Sequence, residues 1–179
     1  KHSLGWISSS AKPPIAYAMC NLTMFSEEKK DCSDIINAMS GEGTIELESQ
    51  SLLRTNNFFV ISGDKNESAA MQTTARLKEL GFPLVDLVVW DAQRLPLRSD
   101  IADAFLADLP FAGSTKKIHQ EPGGTKPDAS LDYRRVFVQA ARVLRSSGKA
   151  AFVSADTQAL RHATRGLHLT ELTKISGMN

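Results

Sequence analysis

The chain has 179 residues, of which 42% are hydrophobic and 23% are charged, and its formal net charge at pH 7 is +1. A chain of this length can bury one substantial core, but so small a net charge provides no overall basic field for holding nucleic acid. No segment is apolar for long enough to cross a bilayer, and Cys20 and Cys32 lack the spacing of metal ligands, which predicts reduced thiols in an intracellular protein.

The first predicted element is a helix that begins at Pro13 and ends near Phe25. Residues 1–12 are polar and serine-rich, and they are predicted to form a flexible lead-in to a single domain over 13–179. Apolar residues recur at helical spacing and are expected to form the buried face of the helix: Ile15, Ala18, Met19 and Leu22. Tyr17 lies on the same helix, and two roles stay equally open for it, packing on the sheet and covering a ligand.

A glycine-rich loop follows the first predicted strand, whose apolar part is Ile35 and Ile36. Gly41 and Gly43 lie between this strand and the next helix, and glycines at this spacing let the backbone turn tightly and approach a ligand. Turns that bind nothing also use glycine, so the position between a strand and a helix is what favours a binding loop. The helix is predicted to be partly amphipathic, with Ile45, Leu47, Glu48, Leu52 and Leu53.

The second predicted strand, over 58–61, is followed by an acid, Asp64. Asp64 lies about twenty residues beyond the glycine loop, the spacing at which a carboxylate accepts hydrogen bonds from the hydroxyls of a ribose. The alternative is that Asp64 caps the helix predicted over 65–80, although Asn66 or Ser68 could fill that role equally well. The spacing favours a nucleotide-like ligand.

The third predicted strand, over 84–90, also ends at an acid. Asp91 and the backbone amide of Ala92 together suit the amine side of an adenine. The carboxyl ends of parallel strands meet at one edge of a sheet, where open α/β sheets bind their ligands. We therefore expect the strand-end carboxylates to line a shared pocket.

The fourth predicted strand leads into the tetrapeptide Asp108-Leu109-Pro110-Phe111. The apolar run over 104–107 must stop near Asp108, because proline cannot donate to a sheet ladder. A hydrogen-bond acceptor beside an aromatic ring suits a planar group that bears an amine, such as a nucleobase. The alternative is that Asp108 caps a turn and Phe111 is ordinary core.

The C-terminal half continues the alternation of helices and strands. The predicted elements are a long loop over 112–129, a helix over 131–144 stopped by 146–148, a strand over 150–153, a helix from its cap at Asp156 to about 165, and a strand over 167–175. The loop lysines Lys116, Lys117 and Lys126 are interpreted as a solvated charge run rather than phosphate ligands. The helix arginines are interpreted as surface rather than as RNA contacts: Arg134, Arg135, Arg142, Arg145, Arg161 and Arg165.

This alternation predicts an α/β fold with a doubly wound, mostly parallel sheet. A glycine loop after the first strand, acids after the next two and Asp-Leu-Pro-Phe after the fourth is the order of Rossmann-like S-adenosylmethionine-dependent methyltransferases. A nicotinamide-dependent dehydrogenase would share the first two features but has no need of the last.

Several motifs resemble those of the THUMP-domain guanine-N2 RNA methyltransferases, and together they cover nearly the whole chain. They are Lys-Pro-Pro-Ile-Ala-Tyr-Ala-Met over 12–19, Gly63-Asp64-x-Asn66, Trp90-Asp91, Leu-Pro-Leu over 95–97 and the tetrapeptide over 108–111. The resemblance implies a cytoplasmic or nuclear enzyme that uses S-adenosyl-L-methionine to methylate the exocyclic N2 amine of guanosine in tRNA or small nuclear RNA. It also implies two partners, an RNA gripped by a preceding THUMP domain and a small zinc-binding activator protein.

The resemblance also implies roles for individual residues. Asp108 and a backbone carbonyl of Leu109 or Pro110 would accept hydrogen bonds from the amine, while Phe111 stacks on the base. The implied cofactor-binding residues are Tyr17, Ser40, Gly41, Gly43, Thr44, Asp64, Asp91 and Ala92. No metal site is expected.

Two departures from the family pattern support an alternative function. The family has Asp-Pro-Met-Cys where this chain has Asn-Ala-Met-Ser over 37–40, and it has glycine where this chain has Ala112. A degenerate domain that serves as a binding scaffold is therefore the chief alternative, and methylation of a protein or small-molecule amine is another. The final antiparallel strand of the fold is expected to be missing after Asn179, which leaves an unprotected sheet edge.

Overall fold

A computed structural model describes residues 11–24, 33–52, 58–82, 85–110, 132–154 and 156–167. Helices and strands alternate through these ranges: α1 (Pro13–Met24), β1 (Ser33–Asn37), α2 (Thr44–Leu52), β2 (Phe58–Asp64), α3 (Glu67–Glu79), β3 (Val85–Val89), β4 (Ala102–Asp108), α4 (Tyr133–Val143), β5 (Leu144–Val153) and α5 (Thr157–Ala163). None of the helices in the described ranges has the length and apolar character needed to cross a membrane. The predicted α/β alternation is confirmed.

The strands form one sheet in the order β3-β2-β1-β4-β5, and every pairing is parallel. From β1 the chain winds outward through β2 to β3, and it then returns to pair β4 with β1 on the other side. This reversal makes the carboxyl ends of β1 and β4 the switch point of the sheet, where open α/β sheets form a ligand-binding crevice.

Alternate side chains of the central strands enter two separate cores, one on each face of the sheet. Ile35, Ala104 and Leu106 pack with α1 and α2 on one face. Ile36 and Phe105 pack with α4 and α5 on the other. Because both faces are covered, the central strands carry unbroken apolar runs, which is why they were detectable in the sequence.

The buried face of α1 differs from the predicted one. Ile15 and Leu22 are 41% and 46% exposed, whereas the buried residues are Ala16, Met19, Cys20 and Thr23. This set has the same helical spacing as the predicted set but is displaced by one residue, and its small side chains let α1 approach α2 and the sheet. Burial raises the pKa of the Cys20 thiol to about 12, so Cys20 is a reduced packing residue.

The connection between α4 and β5 also differs from the prediction. Residues 146–148 were expected to separate the two elements, but β5 begins at Leu144, directly after α4 ends. The pairing with β4 shifts from Ala102–Leu144 to Ala104–Lys149, so the intervening residues of β5 bulge out of register. A Cβ on Gly148 would lie 3.0 Å from the Arg145 carbonyl oxygen and 3.1 Å from that of Ala102, so the bulge leaves little room for a side chain there.

Three of the arginines that were interpreted as helix surface also form hydrogen bonds to other parts of the fold. Arg134 donates to the carbonyls of Ala163 and Arg165, Arg142 to those of Leu95 and Leu97, and Arg145 to the carboxylates of Asp34 and Asp103. Arg134 is exposed as predicted, whereas Arg142 and Arg145 are partly buried. The sequence did not reveal these contacts because the partners lie far away in it. Phe111, Cys32, the loop over 112–129 and residues 168–175 lie outside the described ranges.

Candidate active site at the carboxyl edge of the sheet

The two glycines of the loop between β1 and α2 differ in their surroundings. Gly41 has φ +49° and Gly43 has φ +80°, in the left-handed region that favours glycine. A Cβ on Gly43 would lie 2.6 Å from Cγ2 of Thr73, whereas a Cβ on Gly41 would meet nothing within 4 Å. Gly43 therefore packs against the protein, and Gly41 borders open space that a ligand can enter.

Helix α3 holds this loop in place. Thr73 Oγ1 donates to the Gly41 carbonyl at 2.9 Å, and Arg76 donates to the Glu42 carbonyl at 3.2 Å. Thr73 is buried together with Ala70 and Leu77, so its position on the buried face of α3 was the signal that could have revealed it. Sequence reasoning missed both Thr73 and Arg76.

The Asp64 carboxylate lies against the glycine loop. Its Oδ2 accepts from the Gly41 N–H at 2.9 Å, and its Oδ1 accepts from the Asn66 N–H at 2.8 Å. Asn66, not Asp64, is the N-cap of α3, since its side chain accepts from the Ala69 N–H, so the alternative in which Asp64 caps the helix is wrong. Each carboxylate oxygen has two lone pairs, which leaves Asp64 able to accept from a ligand hydroxyl.

Trp90 ties the ends of three strands together. Its indole Nε1 donates to the Ala38 carbonyl at 3.0 Å, and its backbone N–H donates to the Asp64 carbonyl at 3.1 Å. The ring lies over Gly63, where an added Cβ would be 2.5 Å from Trp90 Cε2. Trp90 therefore fixes the position of Asp91 relative to the ends of β1 and β2.

Asp91 lies just beyond β3, at the edge of the sheet that also carries Asp64. Asp91 Oδ1 accepts from the Gln93 N–H at 2.9 Å, and its carbonyl accepts from the Arg94 N–H at 2.8 Å, which forms a tight turn. Asp91 is half-buried and Ala92 is buried within this turn. The parallel strands thus bring both predicted acids to the rim that carries the glycine loop.

Asp108 is the last residue of β4, next to the switch point. Burial raises the pKa of its carboxyl group, and a hydrogen bond from the Ala11 backbone N–H lowers it. Ala11 is itself buried, so the segment that was predicted to be a flexible lead-in ends packed against Asp108. A partly buried carboxylate is a strong hydrogen-bond acceptor, because water competes poorly for it.

The two residues after Asp108 are fixed by β5 and α4. The Leu109 N–H donates to the Val153 carbonyl at 2.9 Å, and the Pro110 carbonyl accepts from the Tyr133 hydroxyl at 2.7 Å. Of the two carbonyls predicted to face the amine, that of Pro110 thus already has a donor. Sequence reasoning missed Tyr133, whose only signal was its place at the start of the predicted helix.

A fully buried carboxyl group, that of Glu46, lies under the glycine loop. Its Oε1 accepts from Asn37 Nδ2 at 2.7 Å and from the Ser62 hydroxyl. The buried residues of α2 are mostly polar: Glu46 is buried with Thr44, Ile45, Ser49 and Gln50. Burial raises the pKa of Glu46, hydrogen bonds from Ser62 and Asn37 lower it, and the Asp64 charge raises it further.

Four buried side-chain atoms have no hydrogen-bond partner in the described part of the chain: Ser40 Oγ, Thr44 Oγ1, Glu46 Oε2 and Gln50 Nε2. Ser40 and Thr44 flank the glycine loop at the start of α2, where backbone N–H groups and the helix dipole favour an anion. Buried polar atoms are normally paired, so these hydroxyls fit a polar ligand such as an amino-acid carboxylate. Tyr17 is 46% exposed on α1, and its covering role stays a prediction.

No family model matches the chain. It is 25% identical over 171 residues to "tRNA (guanine(6)-N(2))-methyltransferase THUMP3" of Mus musculus, an alignment that covers 89% of this chain and 31% of the mouse protein. It is 28% identical over 145 residues to the Homo sapiens protein of the same name, covering 74% of this chain and 27% of that one. The chain therefore spans about a third of the length of the curated relatives it matches.

Solved structures with the same fold include TrmN from Thermus thermophilus, with a TM-score of 0.64 and 23% identity over 84% of this chain and 40% of that chain. A SAM-dependent O-methyltransferase from Thermotoga maritima has a TM-score of 0.63 and 16% identity, covering 88% and 49% of the two chains. A geranyl diphosphate methyltransferase solved in complex with SAM has a TM-score of 0.59 and 16% identity, covering 79% and 48%. These likenesses show that the fold is the Rossmann-like fold of S-adenosylmethionine-dependent methyltransferases.

Proposed function

We propose that this chain catalyses transfer of a methyl group from S-adenosylmethionine to the exocyclic N2 amine of a guanosine in tRNA. The observation that carries the proposal is the position of Asp108 and the Leu109–Pro110 backbone at the switch point, on the rim that bears the glycine loop and Asp64. The names of the curated relatives support a tRNA guanosine as the acceptor. A tRNA substrate would place the protein in the cytoplasm or nucleus.

The residues of the rim fit the cofactor. The open side of Gly41 and the unpaired hydroxyls of Ser40 and Thr44 suit the methionine part, whose carboxylate would lie at the start of α2. Asp64 would accept from the ribose hydroxyls, and Asp91 with the Ala92 amide would hold the adenine. When bound, S-adenosylmethionine supplies an electrophilic methyl group on a positively charged sulfur.

On the acceptor side, this chain would orient the amine and stabilise the charge that develops on it. The Asp108 carboxylate and a backbone carbonyl accept one N–H each, which aims the nitrogen lone pair at the methyl carbon. Forming the bond from nitrogen to the methyl carbon would break the methyl–sulfur bond and return its electron pair to sulfur, so positive charge would grow on the nitrogen and strengthen its hydrogen bond to Asp108. The extra amine proton is then released through the same carboxylate. Phe111 would stack on the guanine, which must leave its base stack to reach the site.

The altered first motif is compatible with this function. Where the family has an aspartate, Asn37 donates to Glu46, and an aspartate there would place two carboxylates at the distance of a hydrogen bond. The chain therefore keeps a carboxyl group beneath the loop, on α2 rather than at the end of β1. This arrangement supports a functional cofactor site over a degenerate scaffold.

Partners belong to this proposal as well. RNA would be gripped mainly by a preceding THUMP module, because this chain has a net charge of only +1. The small zinc-binding activator would pair with β3, which is one of the two outer strands of the described sheet and exposes Val88 and Val89. An edge strand offers unpaired backbone groups to a partner strand.

Replacing Asp108 with asparagine tests the proposal. We expect Asp108→Asn to slow methylation of an unmodified tRNA transcript by roughly 100- to 1,000-fold, by analogy with the loss of one oxyanion-hole donor. Binding of S-adenosylmethionine, measured by calorimetry, should stay within about twofold of wild type because Asp108 faces the acceptor.

Glu79→Gln is the matched control, since Glu79 is exposed at the end of α3, and it should leave both measurements unchanged. Near-normal turnover by Asp108→Asn would contradict the assigned role of Asp108. If the full-length protein shows no calorimetric signal with S-adenosylmethionine, the scaffold function is favoured instead.

A further inference from the structure

A chain of hydrogen bonds connects the start of α5 to the residues that follow Asp108. The Asp156 N–H donates to Ser154 Oγ at 3.0 Å. Ser154 Oγ and the Tyr133 hydroxyl are 3.0 Å apart, and the Tyr133 hydroxyl is 2.7 Å from the Pro110 carbonyl. These bonds begin where the ladder between β4 and β5 ends, at the Asp108–Val153 pair.

The direction of every bond in this chain follows from counting protons. The Pro110 carbonyl has no proton, so the single hydroxyl proton of Tyr133 must point to it. The Tyr133 oxygen can then only accept, and Ser154 must donate to it. The bond from the Asp156 N–H uses a lone pair of Ser154 Oγ. The hydroxyl proton of Ser154 is therefore left for the bond to Tyr133. Each hydroxyl thus donates once and accepts once, an arrangement in which neighbouring bonds strengthen one another.

Packing alone does not require the hydroxyl. The Tyr133 ring is buried in the core between the sheet and α4, and a phenylalanine ring would fill the same space. The hydroxyl donates to the Pro110 carbonyl, two residues beyond Asp108, and holds that carbonyl in one orientation. Leu109 is itself buried and Pro110 is exposed, so the hydroxyl anchors the backbone at the point where it leaves the core.

We propose that Tyr133 is a positioning residue for methyl transfer: its hydroxyl, oriented by Ser154, holds the Pro110 carbonyl and thereby fixes the backbone that follows Asp108, the side chain assigned to the amine. This inference rests on the proposed function. It adds a side chain from α4 to the site, outside the tetrapeptide and outside the motifs that carry the resemblance.

Tyr133→Phe in the full-length protein is the decisive variant. We expect the turnover number on an unmodified tRNA transcript to fall about tenfold, because a misoriented backbone carbonyl disturbs the amine geometry. The dissociation constant for S-adenosylmethionine should stay within about twofold of wild type. Hydrogen exchange at the Leu109 amide should become faster, since the backbone beyond β4 loses its anchor.

Two further variants distinguish a positioning role of Tyr133 from a general loss of stability. Ser154→Ala leaves the Tyr133 hydroxyl without its donor, so we expect the same pattern with a smaller loss of turnover. Thr164→Val removes a hydroxyl whose partners among the described residues are the Leu160 and Arg161 carbonyls of α5, and it should leave turnover and exchange at Leu109 unchanged.

The outcomes distinguish this inference from the proposed function. If wild type transfers no methyl group to the tRNA transcript, the proposed function fails and this inference fails with it. If wild type is active and Tyr133→Phe has a normal turnover number, the inference alone is overturned, whatever its exchange rate. Loss of S-adenosylmethionine binding in Tyr133→Phe would also overturn it, because the effect would then not be confined to the acceptor.

Discussion

Glu46 is the most heavily buried acid among the described residues, and two neighbouring side chains donate hydrogen bonds to it. Asn37 and Ser62 both donate to the same oxygen, and no partner for Oε2 occurs among the described residues. A buried acid with one unpaired oxygen lowers stability when it is ionised. Glu46 therefore makes the glycine loop sensitive to pH.

The sign of this effect follows from the raised pKa of Glu46 in the folded chain. An unfolded glutamate titrates at about 4.3, so the folded state holds its proton to higher pH than the unfolded state does. Its contribution to stability is then greatest below the unfolded pKa and declines as pH rises through the folded value.

We predict that Glu46→Gln raises the melting temperature at alkaline pH and has little effect at acid pH. Glutamine keeps the oxygen that accepts from Asn37 and Ser62 but cannot ionise. Thermal denaturation across the pH range measures the difference, with Glu79→Gln on the exposed surface of α3 as the control. A stabilisation that does not vary with pH would contradict the ionisation argument.

At the scale of elements, the two glycines of the loop between β1 and α2 have different surroundings. Gly43 is held against Thr73 of α3, whereas Gly41 faces open space. Helix α3 completes the loop by binding the carbonyls of Gly41 and Glu42. Loop and helix therefore act as one unit, although they lie on opposite sides of β2 in the sequence.

We predict that alanine has different effects at the two glycines. Gly43→Ala combines a left-handed φ, which costs about 1–2 kcal/mol for a non-glycine residue, with a clash against Thr73, so it should lower the melting temperature strongly. Gly41→Ala bears only the φ cost and should mainly weaken S-adenosylmethionine binding. Paired denaturation and calorimetry would test this, and unchanged cofactor affinity in Gly41→Ala would remove that glycine from the site.

At the scale of the whole molecule, several arginines that could attract RNA form hydrogen bonds or ion pairs within the protein. Arg134 and Arg142 bind backbone carbonyls, and Arg145 bridges Asp34 and Asp103 where β1 and β4 begin. That bridge lies at the opposite end of the strands from the rim that carries Asp108. The net charge of +1 is thus not concentrated by these arginines into a basic face.

We predict that the isolated chain binds an unmodified tRNA transcript weakly and with a shallow dependence on salt. Few phosphate contacts release few counterions, so the slope of log affinity against log salt should be small. Filter binding at low and high potassium chloride measures that slope. Tight binding with a steep slope would show that this domain grips RNA without help.

The sequence by itself determined where the central strands lie, that they alternate with helices, and which acids follow them. Those features are local: apolar runs mark strands buried on both faces, and proline, glycine and capping residues mark their ends. Parallel pairing then placed Asp64, Asp91 and Asp108 at one edge of the sheet, since all strands of such a sheet end on the same side.

Only the tertiary structure decided which helix faces are buried and which distant side chains meet. The predicted and observed faces of α1 have identical spacing and differ by one residue, because periodicity fixes the members of a face but not its rotation toward the sheet. The partners of Arg145 and of the Tyr133 hydroxyl come from segments far away in the chain. Such contacts arise only when helices and strands pack, so no local pattern could encode them.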